Sequence, residues 1–141
     1  MFILAFAFFF GSCANVQNEQ MNITLTDTSG SPILTVDRHN ITPQDVVQQC
    51  AYRGYVLDNV LIENLHFRDF NLQGLIARGA KFVGCFFKGV SFRGAKLNNA
   101  VFLNCTMDRI DIKDCDLNGA TYPSSSLGIF HPKSISNEQA V

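Results

Sequence analysis

The sequence predicts an all-β, repetitive fold, and a period of five residues is the main reason. From residue 62 to residue 122 every fifth position is apolar, and so is every position two places earlier, from 60 to 120. All 26 of these positions are hydrophobic, against 47% of the whole chain. Neither an α-helix, which repeats at about 3.6 residues, nor a β-strand, which repeats at about 2, explains this period by itself.

A second observation is a turn residue two places after each apolar centre. These positions, from Asn64 to Ser124, carry glycine, asparagine, aspartate, arginine or serine, mostly residues that are typical of tight turns. Each unit of five residues is therefore expected to supply two inward-facing side chains and one corner.

Units such as VLIEN, AKFVG, AKLNN, AVFLN and CDLNG resemble those of the pentapeptide-repeat proteins. The resemblance covers thirteen consecutive units, residues 60–124. It implies a right-handed quadrilateral β-helix of about three coils, in which four units make one square coil. Residues twenty apart, such as Phe82 and Phe102, would then stack, at the roughly 4.8 Å spacing of neighbouring β-strands.

A β-hairpin and a short helix are expected before the repeats. The hairpin is predicted over Ile23–Thr26 and Ile33–Val36, on either side of the turn sequence SGSP. The helix is predicted in ITPQDVVQQCAYRG, with Thr42 as its cap, Pro43 at its first position and Gly54 at its end.

The two ends of a solenoid expose strand edges and apolar side chains, so both ends need a cover. We expect the helix near residues 43–53 to cover the first end. The tail is expected to cover the second end through Leu127, Ile129 and Phe130.

The N-terminus resembles an export signal. The apolar run Phe2–Phe10 is too short to span a bilayer, which takes about 20 residues, but it fits the apolar region of a secretory signal. In FGSC, Cys13 resembles the lipidated cysteine of a bacterial lipobox, while SCA also fits cleavage after Ala14. Because no lysine or arginine precedes the run, translation from Met21 is the alternative.

These assignments divide the chain into five segments. They are an export segment (1–14), a tether (15–22), the hairpin and helix (23–54), the β-helix (55–124) and a tail (125–141).

The charge distribution argues against a nucleic-acid partner. Residues 57–124 carry eight basic and seven acidic side chains, a net charge of +1. Family members that protect topoisomerases by mimicking DNA need dense negative charge, which this segment lacks. Basic side chains crowd the first part of the repeats and aspartates the last part, which we interpret as solvated surface, with head-to-tail association as the alternative.

No residue pattern predicts catalysis, a cofactor or a metal. The five cysteines contain no CxxC pair and no histidine at zinc spacing, so we expect small buried side chains. The sequence also lacks a P-loop, a GxGxxG motif and an HExxH motif. Asp111 and Asp116 are expected to face outward on adjacent sides of the square, and paired carboxylates alone are only a weak signal of acid–base chemistry.

One outward side carries apolar residues where polar ones are expected. These are Leu61, Val83, Val101 and Leu103, here named the apolar strip. Exposed apolar patches often mark interfaces. The alternative is that the hairpin or the C-terminal tail of the same chain covers the strip.

The predicted function is therefore a non-catalytic, rigid interaction or structural module. We expect it to be exported and tethered by lipid in a bacterial cell envelope, with an unidentified protein partner or a second copy of itself. The alternative is a cytoplasmic protein starting at Met21, either a binding protein or a DNA mimic that protects a topoisomerase.

Overall fold

The computed structural model describes residues 22–122 and the two-residue strand Phe2–Ile3. Its fold is mostly β, with one short helix. In chain order the elements are β1 (Phe2–Ile3), β2 (Asn22–Asp27), β3 (Pro32–Asp37), α1 (Pro43–Arg53), β4 (Val60–Glu63), β5 (His66–Arg68), β6 (Lys81–Val83), β7 (Phe86–Lys88), β8 (Val101–Leu103) and β9 (Thr106–Asp108).

The strands form two sheets. The larger has six strands in the order β1-β3-β2-β4-β6-β8, and the smaller has three in the order β5-β7-β9. Strand β2 pairs antiparallel with both β3 and β4, whereas all pairs among β4 to β9 are parallel. The hairpin and the repeats therefore share one sheet, through β2.

The hairpin lies where the sequence predicts it, with each strand one residue longer at either end. Asp27 shapes its turn, because its Oδ1 accepts hydrogen bonds from the backbone N–H groups of Ser29 (2.8 Å) and Ser31 (2.9 Å). The Ser29 hydroxyl and these N–H groups hold the pKa of Asp27 below its usual value.

Helix α1 begins and ends at the predicted residues. The Thr42 hydroxyl accepts from the Asp45 N–H (3.1 Å) and the Asp45 carboxylate accepts from the Thr42 N–H (2.9 Å), which makes a capping box. Pro43 occupies the first turn, and Gly54 closes the helix with φ 72°. The buried face consists of Val46, Val47, Cys50 and Ala51.

Beyond Tyr55 the backbone pairs with itself at intervals of twenty residues. Four rows of parallel pairs result, and each joins residues at that spacing. They run 56-76-96-116, 61-81-101-121, 66-86-106 and 71-91-111. Between adjacent members of a row, N–H groups donate to carbonyls one residue away from the facing position, as from Ser91 to Phe70 (3.2 Å) and from Asp111 to Val90 (2.9 Å).

The apolar side chains predicted to face inward form the core. Of the 26 positions, 23 are buried, and Leu65, Phe70 and Cys115 are partly buried. Phe82 stacks on Phe102 with ring centroids 4.8 Å apart and planes at 6°. Phe67 and Phe87 form a second stack, at 5.1 Å and 9°. Side chains twenty residues apart therefore lie one above the other, as the resemblance to the pentapeptide-repeat proteins implies.

The corners also lie at the predicted positions. All twelve turn positions from Asn64 to Gly119 have positive φ, between 49° at Arg109 and 73° at Gly119. Glycine enters this region without strain, and asparagine and aspartate enter it more readily than other residues.

At the first end of the repeats, β2 and α1 supply the hydrogen bonds that an earlier repeat would make. Strand β2 pairs with β4, and Thr28 N–H donates to the Asn59 carbonyl (3.0 Å). From α1, Gln44 Nε2 donates to the His66 carbonyl (3.1 Å), and Gln48 Oε1 accepts from Asn71 N–H (2.9 Å). Backbone groups at the start of three rows are satisfied in this way.

Candidate interaction surface

The apolar strip lies on the outer face of β4, β6 and β8. Leu61, Val83 and Val101 are partly buried, and Leu103 is 45% exposed. A leucine side chain that is nearly half exposed at an outward strand position gains little stability from packing against the rest of the described chain.

The strand register divides the strip into two parts. Val83 faces Leu103 across the β6–β8 pair, and Val101 lies two residues before Leu103 on the same strand. Leu61 is separated from Val101 by Lys81, which lies between them in the same row. The continuous apolar surface therefore consists of Val83, Val101 and Leu103.

Phe86 extends this surface around a corner. It follows Val83 by three residues, with Gly84 turning the chain between β6 and β7. The side chain is partly buried, and its ring contacts His66 at a centroid distance of 5.6 Å. In the sequence, Phe86 stands two residues after Gly84, and this place beyond the glycine corner is the signal that links it to the strip.

The hairpin extends the strip's sheet at its edge. Strand β2 meets β4 through Thr26–Leu61 and Asp27–Val60 pairs, and these are in-plane backbone contacts. The expectation that the hairpin folds over the strip is thus replaced by edge-to-edge pairing. The other expected cover, the C-terminal tail 125–141, lies outside the described residues.

Charged side chains twenty residues apart in the sequence pair with one another, as Asp58 and Arg78 show. Arg78 donates to Asp58 from Nη2 (2.7 Å) and Nε (3.1 Å), and its backbone N–H donates to the same carboxylate (2.9 Å). Burial would raise the pKa of Asp58, but the hydrogen bonds from Arg78 outweigh it and hold this pKa below its usual value.

Two further contacts join the basic and acidic parts of the repeats. Arg93 Nη2 lies 3.0 Å from Asp111 Oδ2, and Lys88 Nζ lies 4.0 Å from Asp108 Oδ2. The basic and aspartate-rich parts of the repeats therefore partly neutralise each other, while the four paired side chains stay between 30% and 49% exposed, as expected of solvated surface. This pairing reduces the charge that head-to-tail association would use.

Asp111 and Asp116, the candidate acid–base pair, each accept a hydrogen bond from a backbone N–H group two residues later in the chain. Asp111 Oδ1 accepts from Lys113 N–H (3.0 Å), and this bond, together with Arg93, holds the pKa of Asp111 below its usual value. Asp116 accepts from the Asn98 side chain and from Asn118 N–H, which lower its pKa in the same way. Both groups are therefore ionised at neutral pH and are poor proton donors.

The four cysteines within the described residues are free thiols. Cys50, Cys85 and Cys105 are buried and Cys115 is partly buried. Burial raises the pKa of Cys50 to about 11 and that of Cys115 to about 12. Cys105 Sγ donates to the Phe82 carbonyl (3.3 Å), and contact with Cys85 together with burial raises the pKa of Cys105. Cys50, Cys105 and Cys115 are therefore protonated packing groups near neutral pH, whereas the contact with Cys105 lowers the pKa of Cys85.

The sequence predicts lipidation near the N-terminus and predicts no metal site. Cys13, the lipidation candidate, lies outside the described residues. Within residues 22–122, no helix combines the length and the apolar character needed to cross a membrane. The same part of the chain contains no group of three or more histidine, cysteine or acidic side chains arranged for a metal ion.

Comparison with protein families gives one match. The family model described as pentapeptide repeats, in eight copies, matches residues 87–121. The matched segment spans β7, β8 and β9 and the corners between and after them. No curated protein matches the sequence.

Proposed function

We propose that residues 55–124 wind into a right-handed quadrilateral β-helix that serves as a rigid module for protein interaction, and the match of residues 87–121 to the pentapeptide-repeat family model supports this proposal. Pentapeptide-repeat proteins are generally non-enzymatic structural or interaction modules. The proposal is supported above all by the twenty-residue parallel register in four rows, because a square coil of four five-residue sides repeats at that interval.

Rigidity follows from the way such a column is held together. Within each row, successive members are joined by backbone hydrogen bonds, and stacked phenylalanines fill the space between the rows. Packed rings and continuous backbone pairing restrain the backbone that carries the outer side chains. A surface on this scaffold is preorganised, so a partner loses less conformational entropy on binding.

The surface proposed for the partner is the continuous part of the apolar strip, Val83, Val101 and Leu103, with Phe86 beside it. An apolar centre with a polar rim is typical of protein interfaces. Lys81 and Lys88, both partly buried outward residues, lie at its border and would favour a partner whose rim carries carboxylates.

The test of this surface is the double variant Val101→Asp plus Leu103→Asp. We expect the circular-dichroism spectrum and the unfolding midpoint to be retained and capture of the partner from cell-envelope extracts to be abolished. The matched control is Gln73→Asp plus Thr106→Asp, which adds the same charge at two exposed outward positions. If the strip variant unfolds while the control folds, the strip is covered by the protein's own chain and the interface proposal fails.

Export and tethering form a separate part of the proposal. They are supported by the apolar run Phe2–Phe10 followed by FGSC and a polar segment. Lipidation of Cys13 would place the repeats on the cell-envelope side of a bacterial membrane, with residues 15–22 as the tether. A single acyl chain binds a membrane only marginally, so stable anchoring needs more than one chain.

Intact-mass spectrometry of the protein purified from its native host tests this part. A mature chain that begins at a diacylated Cys13 supports tethering, and one that begins at Asn15 supports export without a lipid. A chain that begins at Met1 or Met21 contradicts export and favours a cytoplasmic binding protein. The variant Cys13→Ala serves as control, because it removes the lipid-bearing mass without altering the apolar run.

A further inference from the structure

A small pocket lies between the end of β3 and helix α1. Its volume is about 90 Å³, and its lining residues are Val36, Arg38, Ile41, Val46, Gln49 and Arg53. The floor is apolar, since Val36 and Val46 are 4% and 2% exposed. The pocket lies on the hairpin–helix part of the chain, away from the apolar strip.

Two arginines from different elements meet at this pocket. Arg38 follows β3 directly, and Arg53 is the last residue of α1. Both side chains belong to exposed residues, and among residues 22–122 neither forms an ion pair with an acidic group. Asp37 is adjacent in sequence to Arg38, but within β3 it lies on the opposite face from Val36, and it does not line the pocket.

Two guanidinium groups at one pocket constitute a local excess of positive charge. Elsewhere in the described chain Arg78, Arg93 and Arg109 each have a carboxylate partner, whereas Arg68, like Arg38 and Arg53, forms no ion pair there but lies outside this pocket. A guanidinium group is suited to bidentate contact with phosphate or carboxylate oxygens. One arginine can match a carboxylate, whereas two together match a phosphate monoester, which carries about −1.5 to −2 charges at pH 7.

We propose that this pocket binds a phosphate monoester group between Arg38 and Arg53, with Gln49 as a further hydrogen-bond donor and the Val36–Val46 floor against the ester carbon. The pocket's 90 Å³ is smaller than the roughly 150 Å³ cavity that accommodates benzene in an engineered protein. The enclosed part of the ligand is therefore expected to be a phosphate with a short ester stem. The source of the phosphate is either a soluble ester or the headgroup of a lipid such as phosphatidic acid.

The site is tested by titrating the ¹⁵N-labelled full-length protein with inorganic phosphate at constant ionic strength. We expect saturable amide shifts confined to residues 36–41 and 46–53. Arg38→Gln and Arg53→Gln should each weaken binding by roughly tenfold or more. The matched control Arg109→Gln removes the same charge from the far end of the repeats and should leave the affinity unchanged.

Three results would each overturn the proposal. The first is the lack of a saturable response in the wild-type protein, and the second is an equal response in the arginine variants. The third is acetate binding as tightly as phosphate, because a site for a monoanion needs only one of the arginines. Circular dichroism of both variants checks that the substitutions, which are at exposed residues, leave the fold intact.

Vesicle co-sedimentation identifies the source of the phosphate. Binding to phosphatidylcholine vesicles that contain phosphatidic acid, lost in Arg38→Gln and not seen with phosphatidylcholine alone, assigns a lipid headgroup. Binding of inorganic phosphate without vesicle binding assigns a soluble ester. These outcomes do not depend on the partner surface at Val101 and Leu103, so either proposal can fail without the other.

Discussion

The hairpin and helix of residues 22–54 differ from the repeats of residues 55–122 in the sequence distance over which stabilising contacts act. In the first region the decisive hydrogen bonds are local: Asp27 binds groups two and four residues ahead, and Thr42 and Asp45 cap one helix. In the repeats, backbone bonds join residues about twenty apart. A residue with local hydrogen bonds therefore stabilises only its own element. A residue of the repeats stabilises both its own unit and the unit about twenty residues away with which it pairs.

The largest expected effect is in the repeat core. Phe87 is completely buried and contacts the rings of Phe67, Phe82, Phe92 and Phe102. Replacement by alanine should lower the free energy of unfolding by about 3–5 kcal/mol, measured by urea denaturation. Phe86→Ala, on the outer face of the same strand, is the control and should cost about 1 kcal/mol. Equal losses at the two positions would mean that the inward and outward faces are assigned wrongly.

The next effect compares two corners. Gly89 and Gly94 have similar positive φ values, 65° and 68°, but an added Cβ at Gly89 would overlap Oδ1 of Asp69, whereas at Gly94 it would meet nothing within 4 Å. Gly94→Ala should therefore cost about 1 kcal/mol and Gly89→Ala about 2–4 kcal/mol of unfolding free energy.

A double variant isolates the cause of that difference. Asp69→Ala removes the overlapping oxygen, so Gly89→Ala in that background should cost about as much as Gly94→Ala. If the excess cost persists without the aspartate, the corners do not stack one above another.

A smaller effect is expected for a local signal in the hairpin–helix region. Thr42→Ala removes the hydroxyl that accepts from Asp45 N–H, and it should lower the free energy of unfolding by about 1 kcal/mol. Amide exchange should accelerate at Val46 and Val47 more than in the repeats. Thr106→Ala, at an exposed outward position, is the control, and a similar loss there would show that the cap is not the cause.

The smallest effect is electrostatic. The pKa of Asp58 is lowered in the folded protein, so its ionised carboxylate stabilises the fold. This stabilisation is fully present above the unfolded pKa of about 3.9 and is lost as the pH falls through the folded pKa. Arg78→Gln should raise the carboxyl titration midpoint of Asp58 in a ¹³C NMR experiment and cost at most about 1 kcal/mol at neutral pH. An unchanged midpoint would mean that Arg78 does not hold the carboxylate.

Much of this architecture could be predicted from the sequence because it depends on residue type at fixed spacing. The inward positions, the positive-φ corners from Asn64 to Gly119 and the capped helix after Thr42 all follow from one-dimensional patterns. The stack of Phe82 on Phe102 followed from the twenty-residue interval implied by the family resemblance.

Other contacts depend on how separate elements meet, and no spacing rule predicts them. Gln44 and Gln48 complete backbone hydrogen bonds at the start of the repeats because α1 lies against the second and third five-residue units. The meeting of Arg38 with Arg53 likewise depends on how the hairpin packs on the helix. The sequence was enough to place the four apolar-strip residues on one side of the repeats. Only the strand register shows that Lys81 lies between Leu61 and Val101.

The central claim is that side chains twenty residues apart stack along the repeats. Nuclear Overhauser effects between selectively labelled phenylalanine rings test it most directly. The account predicts strong cross-peaks between Phe82 and Phe102, whose ring centroids are 4.8 Å apart, and between Phe67 and Phe87, at 5.1 Å. Assigned rings in the folded protein that give no cross-peak for either pair would contradict it.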